Sequence, residues 1–99
     1  MVWEDLGIFK VYFPTPFSEI DNPANDNIDV CVRTQDGKQY TLVFVTPDNL
    51  KTLMASEDKT YIHPNFRFIV VKSITEECIL SALNEIVIDI DLLQQLGGD

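Results

Sequence analysis

The sequence predicts an α+β fold: a two-layer sandwich in which a mainly antiparallel sheet of about four strands carries two helices on one face. Three observations lead there. Residues 30–45 alternate as a hairpin around Asp36-Gly37, and two helix starts, Thr46-Pro47-Asp48 and Thr75-Glu76-Glu77, each introduce an apolar stripe. The 99 residues, 45% of them hydrophobic, suffice for one core and a single domain spanning residues 1–99. Such a core buries roughly 60–70% of the surface that the extended chain would expose.

The elements follow in chain order. Residues 8–13, IFKVYF, read as a first strand that Pro14 and Pro16 end. Residues 14–27 are a loop, because prolines fix φ and the Asx side chains compete for backbone hydrogen bonds. In the hairpin, Val30, Val32 and Thr34 alternate with Cys31, Arg33 and Gln35, and Tyr40, Leu42 and Phe44 alternate with Thr41, Val43 and Val45. Asp36-Gly37 suits the two positive-φ positions of a type I′ turn. Thr46 offers a capping hydroxyl, Pro47 sits where no donor is needed, and Asp48 faces the positive end of the helix dipole. This helix is expected to expose Lys51 and to bury Leu50, Leu53 and Met54. After a polar loop at residues 56–65, the nearly continuous β-type run at residues 66–71 reads as a strand in the middle of the sheet, covered on both faces. A second helix starts at the N-cap Thr75, and Ile79, Leu80, Leu83, Ile86 and Val87 form its apolar face. The segment IDIDLL at residues 88–93 fits a continuation of that helix, a short strand, or a third helix ending at Gly97-Gly98.

Charge is the strongest compositional clue. Sixteen acids and seven bases leave a formal net charge of −9. Residues 1–30 hold six acids and one base, residues 31–60 four of each, and residues 61–99 six acids and two bases. Acidic ends around a neutral middle repel nucleic acid and anionic membranes and steer basic partners inward, although solubility alone also accounts for such a surface. Apolar runs reach only four residues, as at residues 42–45 and 68–71, so no membrane span is expected. The opening MVWEDLGIFK carries Glu4 and Asp5 where a secretory signal carries positive charge, which points to the cytoplasm.

No catalytic constellation emerges. His63 is the only histidine, it precedes Pro64 in a polar loop, and no cysteine or acid lies near it at metal-ligand spacing. Cys31 and Cys78 are expected to be reduced structural thiols, Cys78 near a helix start where the dipole lowers a thiol pKa. The Asx-rich stretch at residues 21–29 lacks the glycine and glutamate of a calcium-binding loop, since Asp26 and Val32 stand at the sixth and twelfth places. Gly37 belongs to a turn and Gly97-Gly98 to a tail, so nothing cradles a nucleotide. The expectation is a protein with no metal, no cofactor and no enzymatic activity.

Residues 30–54 follow V-x-V-x-x-x-D-G-x-x-Y-x-x-x-F-x-T-P-x-N-L-x-x-L-M, and residues 69–79 read IVVKSITEECI. In these motifs the chain resembles the small immunity proteins encoded beside bacterial polymorphic and contact-dependent-inhibition toxins. The resemblance implies a protein that binds and neutralises a cognate toxin domain, basic if it is a nuclease, without chemistry of its own. Electrostatic steering followed by burial of a standard interface would serve that role. Contacts are then expected from Asp21, Asp26, Asp29, Glu57, Asp58, Asp89 and Asp91, with Tyr61, Trp3 or Tyr12 as an aromatic anchor. The alternative is a small acidic adaptor or secretion chaperone, marked by an apolar patch and self-association. Monomer and homodimer both remain open, and neither reading involves nucleic acid or membrane.

Overall fold

Period-two burial organises the sheet. The computed structural model describes residues 2–64 and 67–97. Its strands are β1 (Glu4–Asp5), β2 (Phe9–Tyr12), β3 (Asn27–Thr34), β4 (Gln39–Val45) and β5 (Ile69–Val70), and its helices are α1 (Pro47–Ser56), α2 (Glu76–Ile86) and α3 (Ile90–Gly97). The strands lie side by side in chain order. The first three pairings are antiparallel and β5 runs parallel to β4. The α+β class therefore holds, in a mixed sheet with one strand and one helix more than expected.

One face of the sheet makes the core. Phe9 and Val11 of β2, Ile28, Val30 and Val32 of β3, and Tyr40, Leu42 and Phe44 of β4 are all buried on it. They pack with Ile79, Leu83 and Ile86 of α2, Leu93 of α3, and Val71, Ile74 and Val87 from the connections. Of the sets read from the sequence, Val30 and Val32, Tyr40, Leu42 and Phe44, and Ile79, Leu83, Ile86 and Val87 are buried, while Thr34 and Leu80 are half-buried and Val45, of the opposite set on β4, is buried too. Both helix caps form as well: the Thr46 hydroxyl accepts from the Asn49 amide at 3.3 Å and the Thr75 hydroxyl from the Cys78 amide at 3.3 Å.

Three expectations need correction. The hairpin turn is not type I′, because Gly37 has φ of 85° while Asp36 is not among the positive-φ residues. Instead the Gly37 amide donates to the Thr34 carbonyl at 3.0 Å and the Thr34 amide to the Lys38 carbonyl at 3.0 Å. This is the three-residue loop in which a type I turn is followed by a left-handed glycine. Second, the strand read at residues 66–71 is neither long nor central. Phe66 lies outside the described residues, and β5 is a two-residue strand at the sheet's edge, with Val70 exposed. The apolar run arises because Ile69 and Val71 face the core while Val70 faces out.

The third correction concerns sides. Two helices do cover the core face, but they are α2 and α3. Leu50 and Leu53 of α1 instead line a hollow with Val43 and Val45, which alternate with the buried Leu42 and Phe44 and so point from the other face. Leu50, Leu53 and Met54 are consequently only half-buried. The parallel β4–β5 pairing explains this, since the chain must cross over one face to return in the same direction. Of the three readings left open for residues 88–93, a third helix is the one that forms, as α3. Asp89 caps α3, its carboxylate accepting from the Leu92 amide at 3.1 Å. Gly97 belongs to α3 rather than to a tail, and a Cβ there would stand 2.6 Å from the Thr41 carbonyl oxygen.

Candidate functional site

The outer face of the sheet is covered at one end only. There α1 is fastened by a polar junction built from the loop before β3. Thr46 is fully buried, and its hydroxyl accepts from the Asp26 amide at 3.3 Å in addition to capping α1. The Asn49 side chain accepts from the Asn27 amide group at 2.8 Å and donates to Asn25 at 3.2 Å. Asn25 in turn donates to the Thr52 hydroxyl at 3.0 Å. The Asx-rich loop thus joins β3 to α1 by side-chain hydrogen bonds, with each amide giving or taking at short range.

Beside this junction a hollow of about 280 Å³ lies between α1 and β4. Val43 and Val45 form its floor on β4, while Leu50, Leu53, Tyr61 and Ile62 supply apolar walls. Asn27, Glu57, Lys59 and His63 complete the lining. Tyr61 is 60% exposed, so most of its ring remains available to a partner. Asp29 is directly opposite Val43 across the β3–β4 ladder and shares its outward face. Glu57 meets Lys59 at 3.6 Å, an exposed pair of the kind that adds little stability.

At the far end of the same face the Arg33 guanidinium lies 4.4 Å from the centre of the Trp3 ring, a cation–π distance. The Trp3 and Tyr12 rings are 5.8 Å apart and tilted by 50°. Arg33 also donates to the Gln39 side chain at 3.2 Å. A second, wider hollow of about 400 Å³ lies between the hairpin ends, lined in part by Asp5, Lys10, Arg33 and Gln35. Between the two ends Asp29 and Thr41 are exposed and Cys31 is half-buried.

The expected partner-facing residues divide among these regions. Asp29, Glu57 and Tyr61 come together around the smaller hollow. Asp58 follows Glu57 and takes φ of 53°, the left-handed conformation that ends α1, with the Lys59 amide closing back on the Met54 carbonyl at 2.8 Å. Asp26 is half-buried and its carboxylate accepts from the Asn27 amide at 2.7 Å. Asp21 is exposed in the loop before β3, while Asp89 and Asp91 open α3 on the helical layer. The two other aromatic candidates, Trp3 and Tyr12, pack against each other with tilted rings. Sequence reasoning passed over Val43, Val45, Arg33 and the asparagines. The signal for the valines was present in the unbroken run at residues 42–45, which marks a strand with apolar contacts on both faces.

Cys31 and Cys78 are free thiols. Hydrogen bonds from the Thr75 and then the Ser73 hydroxyl hold the Cys78 thiol pKa below its ordinary value, against opposing burial and the Glu77 charge. The Ser73 oxygen is 3.5 Å from the Cys78 sulfur. His63 is exposed in its loop. Among the described residues no three His, Cys, Asp or Glu side chains gather as a metal site, and no helix is long and apolar enough to cross a membrane. No family model, curated protein or solved structure matches the chain.

Proposed function

We propose that this chain is a cytoplasmic immunity protein that binds a basic bacterial toxin domain, such as a nuclease, and neutralises it by occlusion rather than by chemistry. The observation that carries the reading is the charge balance. Even with every base paired to an acid, the net charge of −9 leaves nine acids to face solvent or a partner. A basic active surface approaching such a field is accelerated and oriented before contact. The resemblance of residues 30–54 and 69–79 to toxin-immunity proteins supplies the class of partner. Co-expression with a basic toxin domain taken from a neighbouring gene tests it: growth is restored when the chain is present, and continued killing contradicts the proposal.

One observation favours a second reading. Ile88, Ile90 and Leu92 are 73%, 49% and 37% exposed around the start of α3, the kind of apolar surface on which an adaptor or secretion chaperone dimerises. Light scattering separates the two, because an adaptor of that kind is a homodimer before it meets any partner.

A further inference from the structure

The hollow between α1 and β4 is just smaller than the roughly 300–1,000 Å³ of small-molecule sites, so its 280 Å³ suits one side chain better than a cofactor. Its floor is Val43 and Val45 and much of its wall is apolar, with Asn27, Glu57, Lys59 and His63 completing the lining, and a polar group set against the valines without a hydrogen-bond partner would lose more than it gains. The charges around it are unequal. Asp29 projects beside Val43, Glu57 lies in the lining and Asp58 follows it, whereas the basic side chains of the lining are His63 and Lys59, and Lys59 already meets Glu57. An apolar anchor with cations on either side complements this arrangement, and an anionic segment is repelled both here and by the molecule as a whole.

We propose that the hollow seats a single leucine- or phenylalanine-sized side chain from a basic segment of the partner, with the flanking cations pairing to Asp29 and to the Glu57–Asp58 turn. The inference rests on the reading that the protein binds a basic partner, and adds where it binds and by which anchor. A buried anchor in a pocket beside an exposed tyrosine is the usual centre of an interface, with the surrounding charges setting orientation and rate.

Three capped pentapeptides test it: Lys-Lys-Leu-Lys-Lys, Lys-Lys-Phe-Lys-Lys and Lys-Lys-Ala-Lys-Lys, each titrated into the isotopically labelled protein and followed by amide NMR shifts at low salt. The leucine and phenylalanine peptides shift Val43, Val45, Leu53 and Tyr61, and bind at least roughly tenfold more tightly than the alanine peptide, as expected for the extra apolar surface buried. Tyr61→Ala and Asp29→Asn, both at exposed positions that leave the fold intact, each weaken binding several-fold. Equal affinity for all three peptides, with shifts scattered over the acids, overturns the anchor and leaves the basic-partner reading standing. Absence of binding by all three overturns the anchor as well, and the basic-partner reading then stands or falls on the co-expression result alone.

Discussion

Thr46 shows how much one side chain can hold. Its hydroxyl caps α1, accepts from the Asp26 amide and is fully buried, so it secures the helix and the loop before β3 together. Losing a cap alone costs about 0.5–2 kcal/mol, and losing the second hydrogen bond, to the amide of half-buried Asp26, adds about 0.5–1.5 kcal/mol. Thr46→Ala should therefore destabilise the protein by about 1–3 kcal/mol in urea unfolding, more than Thr75→Ala, which removes a cap at a half-buried position. Equal losses would show that the Asp26 contact contributes nothing. The cap itself was legible in Thr46-Pro47-Asp48, whereas its second partner, 20 positions away, was not, because local spacing carries no information about which loop will reach a hydroxyl. Cys78 offers a pH test at the same scale. A thiol held below its ordinary pKa by hydroxyl hydrogen bonds is ionised, and so alkylated, from lower pH upward. The midpoint for Cys78 alkylation should lie below that of an ordinary thiol, and Ser73→Ala should raise it. An unchanged midpoint would remove Ser73 from the explanation.

Among the elements, α3 and β5 were the hardest to read. Six residues, IDIDLL, fit strand and helix alike, and the choice was made by packing: Leu93 is fully buried in the core and Leu96 joins it. A run as short as residues 66–71 gives no indication of whether its neighbours lie on one edge or two, so β5 was placed centrally when it closes the sheet at an edge. Likewise α1 carries a readable apolar stripe, but periodicity states which side of a helix is apolar and not which side of the sheet it meets. The seating of α3 can be tested at Gly97, where an added Cβ would meet the Thr41 carbonyl oxygen at 2.6 Å and Leu42 Cδ2 at 2.7 Å. Since one of these is backbone, the helix end must move, and Gly97→Ala should cost about 1–3 kcal/mol, the usual range for overpacking. Unchanged stability on chemical denaturation would show that the last turn of α3 does not press on β4.

For the whole molecule, charge and topology separate two tasks. The core face of the sheet is covered by α2 and α3, while the outer face holds α1 at one end, Trp3 with its neighbours Arg33 and Tyr12 at the other, and exposed polar side chains between. The class of fold, the hairpin and the two capped helices were all legible, because each is set by local pattern. The outer face was not, because it is assembled from β3, β4, α1 and the loop after α1, which only the crossover to β5 brings together. If the acidic field guides association, the rate constant for binding a basic partner falls by roughly tenfold or more between low and physiological salt, as screening shortens the Debye length from about 30 Å to about 8 Å. A salt-independent rate would take the field out of the mechanism. Whether the chain acts by binding is decided by size-exclusion chromatography with light scattering on a mixture of this protein and the product of the neighbouring gene. A stable one-to-one complex with a basic domain is the expected result, and a homodimer that ignores that product would overturn the binding role proposed above.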